Sequence, residues 1–131
     1  MKDIGYDDFQ ELVDYQLVRH RSILDILSKY QASASRVNRA VAKSVTSCGC
    51  IEVHAKKQDL PEDVSLSQLK DYMDSHLRGD ICDQCKDIIE NEMGNQMFFL
   101  ASLASVLDIK LDDILEKEKK KMSTLGIYGL R

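Results

Sequence analysis

Little in this chain interrupts a helix: it contains one proline and six glycines in 131 residues, so breaks are few. Long apolar runs are missing as well, none approaching the ~20 residues needed to cross a bilayer. The N-terminal stretch MKDIGYDDFQELVDYQ is charged from the start and lacks the apolar region of a secretory signal. These two absences leave no membrane partner and predict a cytoplasmic protein. Positive charge is not in excess either, with 18 Lys and Arg against 22 Asp and Glu. The net charge is −4, and KEKKKM near the C-terminus is the one extended basic block, so the dense cationic face that displaces counterions from nucleic acid is lacking. What is present, 44% hydrophobic and 31% charged residues, suits one compact domain over residues 1–131 that buries a modest core without covalent staples.

Apolar positions recur at three and four rather than at two, which predicts helices throughout. Phe9, Val13, Leu17, Leu24 and Leu27 form such a stripe, giving a long first helix from residue 6 to about residue 30. A second helix, about 34–55, carries Val37, Val41, Val45 and Cys48 among many Ala and Ser residues; small side chains permit close approach, placing it centrally in a bundle. KKQDLPEDVS is a loop around Pro61, with Ser65 as N-cap of a short helix, LSQLKDYMDSHL, that Gly79 ends. The fourth helix, about 80–108, is the most apolar. Ile89, Met93, Met97, Leu100, Ala104 and Leu107 share one broad face, widened by Phe99, Leu103 and Val106, as expected of an element buried on more than one side or at a dimer interface. Met93, Met97 and Phe98 read as core or interface packing. The last helix, LDDILEKEKKK, places acids in its first turn and lysines in its last, matching the helix dipole, so its basic run reads as a solvated helix end.

The cysteines carry the sharpest chemistry. Cys48 and Cys50 lie in TSCGCIEVHA, Cys82 and Cys85 in CDQC. In a reducing compartment such pairs are metal ligands or redox groups rather than structural disulfides, and four thiolates complete a tetrahedral structural Zn²⁺ site without histidine. One objection is geometric: residues two apart on an α-helix point about 200° away from each other. Either Gly49 breaks the helix, turning 47–50 into a local turn, or Cys48 and Cys50 serve different partners, one across a subunit boundary. Cys82 and Cys85 sit one turn apart at a helix start that Asp80 can cap, where amides and dipole favour thiolate. A reactive dithiol is the rival reading of CDQC, but its usual setting is a strand-to-helix junction, and no strand is expected before it. His54 and His76 read as exposed or hydrogen-bonded helix residues.

The stretch ENEMGNQMFFLASLASVLDIKLDDILEKEKKK, residues 90–121, resembles the C-terminal helices of the MazG-like all-α nucleoside triphosphate pyrophosphohydrolases. KSVTSCGCIEVHA aligns more loosely with that family's first metal-binding helix. The resemblance implies an oligomeric helical bundle, a homodimer or homotetramer, in which carboxylates from two helices hold Mg²⁺ against a triphosphate. This chain departs from the pattern. Glu92 matches a family acid, but Asn95 replaces an Asp; the first element's acidic positions fall on Thr46, Ser47 and Cys50, with Glu52 displaced by two residues. Hard Mg²⁺ needs carboxylate oxygens, whereas thiolates select Zn²⁺.

Two expectations of different class follow. The first is an all-α, MazG-like oligomeric bundle in which Cys48, Cys50, Cys82 and Cys85 bind Zn²⁺, catalytically degenerate and serving as a binding or structural protein, with a nucleotide or protein as ligand. The second is a true pyrophosphohydrolase using Mg²⁺ or Mn²⁺ at a non-standard acidic site of Glu52, Glu90, Glu92 and Asn95. Glu92 and Gln96, one turn apart with Asn95 beside them, read in preference as a satisfied polar layer that fixes helix register.

Overall fold

The computed structural model describes residues 5–17 and 21–126. Helices dominate it, as expected: α1 (Tyr6–Gln16), α2 (Ile23–Lys43), a short α3 (Leu69–Tyr72) entered through a 3₁₀ turn, α4 (Asp83–Val106) and α5 (Leu111–Leu125). Between them lies a two-stranded antiparallel ribbon, β1 (Ile51–Val53) and β2 (Leu77–Gly79), in the register Ile51↔Gly79, Glu52↔Arg78 and Val53↔Leu77. The longest packing seam runs between α2 and α4. Three serines, Ser33, Ser44 and Ser102, are almost completely buried, and each returns its hydroxyl to a carbonyl three or four residues earlier. Their small size allows close helix approach, and the intrahelical bond satisfies the buried hydroxyl.

The long first helix divides in two. Leu17 leaves helical geometry at φ −81°, ψ 76°, and Ser22 enters α2 from extended backbone; the intervening part of the expected helix, residues 18–20, lies outside the described residues. The break resets the helical phase. Val13 and Leu17 are buried, but Leu24 and Leu27, expected on the same stripe, are 73% and 45% exposed, and Ile26 takes the buried position of α2. The second helix therefore begins earlier than residue 34. It also ends earlier than 55, because Gly49 adopts left-handed backbone and the chain continues into β1. The third expected helix shrinks to Leu66–Tyr72; residues 73–76 are irregular and Leu77, its last expected residue, opens β2. His54 and His76 consequently flank the ribbon, one just after β1 and the other just before β2, and are not helix residues: the His54 N–H donates to the His76 carbonyl at 2.7 Å.

On α4, Ile89, Ala101, Ser102 and Ala104 are buried, whereas Met93, Met97, Leu100 and Leu107 of the expected broad face are exposed. The main cluster joins Val13 of α1, Ala101 and Ala104 of α4 and Leu111 of α5, flanked by Phe9 and Phe98. One side chain clips this assembly. Gln10 donates its amide N–H to the Ile109 carbonyl at 2.7 Å and accepts the Leu111 N–H at 2.9 Å. It thereby mimics a backbone strand and satisfies a first-turn amide of α5, whose own N-cap, Lys110, offers no side-chain cap. Gln10→Ala is expected to cost about 2 kcal/mol by leaving both groups without this partner, seen as a fall of roughly 5 °C or more in a thermal melt.

Gln58 repeats the device across the connection between the strands, donating to the Asp74 carbonyl at 2.8 Å and accepting the Asp74 N–H at 2.9 Å. The Asp74 carboxylate in turn receives both guanidinium nitrogens of Arg78, at 3.0 and 2.6 Å, and the His76 N–H at 2.9 Å. Arg78 and then that N–H hold the Asp74 carboxyl well below the usual carboxylate range. These bonds support the turn into β2, where His76 takes φ 62°, a conformation that non-glycine residues rarely adopt.

Candidate metal centre

The ribbon brings the two cysteine pairs together. Cys50 immediately precedes β1, and Cys82 lies three residues beyond β2, so pairing Ile51 with Gly79 folds the chain back and sets CGC beside CDQC. The end of α2 then tightens the arrangement. A single π turn, Ser44–Cys48, closes with the Gly49 N–H donating to the Ser44 carbonyl at 2.9 Å; such turns shift the phase of the residues that follow and recur at functional sites. Gly49, at φ 78° and ψ 12°, terminates the helix. The geometric objection to Cys-x-Cys in one helix thus disappears: Cys48 is the last residue of the helix and Cys50 lies beyond its cap.

On the other side, Cys82 itself is the N-cap of α4, its Sγ accepting the Cys85 N–H at 3.4 Å. Asp80, the expected cap, lies outside the helix. A strand, β2, does precede CDQC, contrary to expectation. It belongs to a two-stranded antiparallel ribbon and not to a βαβ unit, so the usual frame of a thioredoxin-like dithiol is missing here.

The four cysteines are free thiols, and their Sγ atoms all lie within 4.8 Å of one another. Cys48 Sγ and Cys82 Sγ are 3.8 Å apart. Four sulfurs bound about 2.3 Å from one zinc ion stand about 3.8 Å apart at the corners of a tetrahedron. The cluster can therefore take a tetrahedral ion with small side-chain adjustment. Electrostatics agrees with a shared cation. The Cys85 N–H, then the Cys85 thiol, lowers Cys82 to about 7. At Cys85 the Ser44 hydroxyl favours the thiolate, but the Cys82 sulfur, partial burial and the other two sulfurs outweigh it and push the thiol up to about 12. Cys48 is also raised, the pull of Cys85 and of the Cys50 backbone being outweighed by Cys82, by the Cys50 sulfur and by burial. Cys82 ionises readily while Cys48 and Cys85 resist; a divalent ion at the centre is what relieves such crowding.

Ser44 went unnoticed in the sequence. It is buried, and its carbonyl accepts the Gly49 N–H and lies 3.8 Å from Cys50 Sγ, so it orients the Cys-x-Cys turn from beneath. Its spacing of four residues before Cys48, a small residue one turn away, is the only signal the sequence offers. Beside the cluster opens a cavity of about 380 Å³ walled by Ala40, Lys43, Ser47, Cys48, Gln84 and Ile88.

The carboxylate candidates are scattered. Glu52 sits on β1 and contacts His54 Nε2 at 3.1 Å. Glu90 is exposed on α4, and Glu92 is half-buried there, accepting a long 3.5 Å contact from Asn95. Among the described residues, the cysteine quartet is the metal-capable cluster of three or more such side chains; Glu52, Glu90 and Glu92 do not converge, and neither His54 nor His76 joins the sulfurs. His76 Nε2 is enclosed without a hydrogen-bond partner among those residues. No described helix is long and apolar enough to cross a membrane. Comparison with family models, with curated proteins and with solved structures finds no match.

Proposed function

We propose that Cys48, Cys50, Cys82 and Cys85 bind one Zn²⁺ ion that staples the end of α2 to the start of α4, and that the chain is a metal-stabilised helical module with a binding or structural role toward a nucleotide or protein partner. The observation that carries this reading is the convergence of four sulfurs within 4.8 Å from two segments more than thirty residues apart in sequence. Zinc supplies charge neutralisation and a fixed tetrahedral geometry there. The protein supplies the left-handed Gly49 turn, the Cys85 amide that favours thiolate at Cys82 and the ribbon that sets the spacing. All four coordination positions are filled by protein, which leaves no open place for a substrate or an activated water. Elemental analysis of native, untagged protein with thiol titration tests it: about one zinc per chain and protected thiols are expected, and no metal with four freely reactive thiols would sink it.

The MazG-like resemblance is carried forward in its catalytically degenerate form. Phosphoanhydride hydrolysis by that family's chemistry needs clustered carboxylates to hold a hard cation, and the separation of Glu52 from Glu90 and Glu92 supports a chain without it. Incubation with nucleoside triphosphates and Mg²⁺ or Mn²⁺ is expected to release no pyrophosphate, with Glu92→Gln indistinguishable from the parent. Metal-dependent release that Glu92→Gln abolishes would instead establish the hydrolase.

A further inference from the structure

Zinc has no redox chemistry of its own, so a zinc–thiolate centre that meets an oxidant gives up electrons from sulfur. A thiolate is a nucleophile as well as a ligand, and its susceptibility to oxidation follows its exposure. The four sulfur residues differ in this respect. Cys48 is exposed, whereas Cys50, Cys82 and Cys85 are partly covered. Cys50 turns inward, its Sγ 3.8 Å from the Ser44 carbonyl oxygen. Cys48 instead forms part of the wall of the cavity of about 380 Å³ beside the cluster, which is ample for a small oxidant.

The exposed sulfur has a partner in place. Cys82 Sγ lies 3.8 Å from Cys48 Sγ, and a disulfide needs about 2.05 Å, so the pair must close by less than ~2 Å. Cys82 is free to supply that movement. As the N-cap residue it sits on extended backbone at φ −76° and ψ 161°, and rotation of its side chain carries the sulfur without disturbing α4. Cys85 lies within the first turn of α4, where the helix restricts side-chain rotation.

We propose that Cys48 and Cys82 form a peroxide-driven zinc-release switch, in which hydrogen peroxide oxidises Cys48 and Cys82 closes a disulfide onto it; the inference rests on the zinc reading above. The Cys48 thiolate attacks one peroxide oxygen, the O–O bond breaks, and the products are a sulfenic acid and hydroxide. The Cys82 thiolate then attacks that sulfur. An S–S bond forms, the S–O bond breaks and a second hydroxide leaves; both hydroxides take protons from solvent. The two sulfurs lose two electrons and the peroxide becomes two waters. Zinc, left with Cys50 and Cys85, departs because its tetrahedral set is broken, and thiol–disulfide exchange with a small thiol reverses the step. The new bond joins residues 34 apart in sequence, at the end of α2 and the start of α4, so it differs from dithiol exchange within CDQC. It also keeps the link between the two helices that zinc supplied. What it gives up is the hold on Cys50, and with it the anchor of β1.

Hydrogen peroxide added stoichiometrically to the full-length, zinc-loaded protein, with a chromogenic chelator recording free zinc, tests the switch. Zinc is expected to appear in step with the loss of two thiols, and non-reducing peptide mapping with fragmentation to place the bond between Cys48 and Cys82. Helicity is retained, and dithiothreitol with added zinc restores the starting state. Cys48→His keeps a zinc-binding side chain, so three thiolates and an imidazole still complete the set. That variant is expected to hold zinc and to release it to peroxide roughly tenfold more slowly or less. A bond confined to Cys82 and Cys85 or to Cys48 and Cys50, release from Cys48→His at the parent rate, or zinc that stays bound under peroxide would overturn the switch and leave the metal centre standing. A chain that takes up no zinc at all would overturn both.

Discussion

Stripping the zinc proposed at the four cysteines is expected to unfold that end of the protein and lower its thermal midpoint by roughly 10 °C or more, with Cys82→Ser reproducing most of the loss. The hydrophobic cluster of Val13, Ala101, Ala104 and Leu111 joins α1 to α5 and the C-terminal half of α4. At the opposite end of α4 the described core contains little more than Ile51, Ser44 and Ile89. A ribbon of two three-residue strands is not stable by itself in water. Structural zinc contributes about 10–16 kcal/mol of binding free energy in small metal-folded peptides, as much as a whole domain's net stability. Removing it should therefore release the ribbon and the last turn of α2 before it releases the α1–α4–α5 contact. Cys82→Ser is the informative substitution because serine is itself a good N-cap: helix capping survives, so what is lost is the ligand. Chelation followed by circular dichroism and thiol titration checks this. Unchanged melting with all four thiols newly reactive would mean that the sulfurs pack without stapling anything.

The two halves of this site were legible in the sequence to different degrees. The donor set could be read from Cys-x-Cys and Cys-x-x-Cys; side-chain direction on an α-helix left two readings of Cys-x-Cys, a break at Gly49 or sulfurs that serve different partners, and the left-handed Gly49 of the structure selects the break. The ribbon could not. IEV and LRG are too short to display a period of two, and one of their six residues is glycine; long-range pairing and the Gln58 and Asp74 bonds define them instead. The break after α1 was equally hidden, since no glycine or proline marks residues 17–22 and apolar spacing continues in phase through Leu24 and Leu27. Only tertiary structure reveals that Ile26 faces inward. On α4 the periodic apolar face was legible, but which part of it this chain covers was not, because one sequence does not distinguish a core from an interface. Glu52, Glu90 and Glu92 were picked by similarity to a family pattern, and the fold places Glu52 on the ribbon and the other two on α4.

Gly79→Ala is expected to destabilise the metal-loaded protein by roughly 2–4 kcal/mol and to weaken zinc binding, while Gly49→Ala costs only about 1 kcal/mol and leaves affinity nearly intact. Both glycines have positive φ, 88° and 78°, so each substitution meets the same backbone penalty for an L-residue. Their surroundings differ. A Cβ on Gly49 would meet nothing within 4 Å, whereas one on Gly79 would stand 2.6 Å from the Cys50 carbonyl oxygen and 3.4 Å from Ile51 Cα. Those obstacles are backbone, not the flexible end of a side chain, so β1 must move as a unit. The residue displaced most directly is Cys50, one of the four sulfur donors. A shift of a few tenths of an ångström there distorts a tetrahedron whose other corners are held by the α2 terminus and by the α4 cap. Denaturant melts, with zinc affinity measured by competition against a chromogenic chelator, separate the two variants. Equal, small effects on both would mean that the ribbon gives way without moving Cys50, and that the spacing of the sulfurs is set by the helices alone.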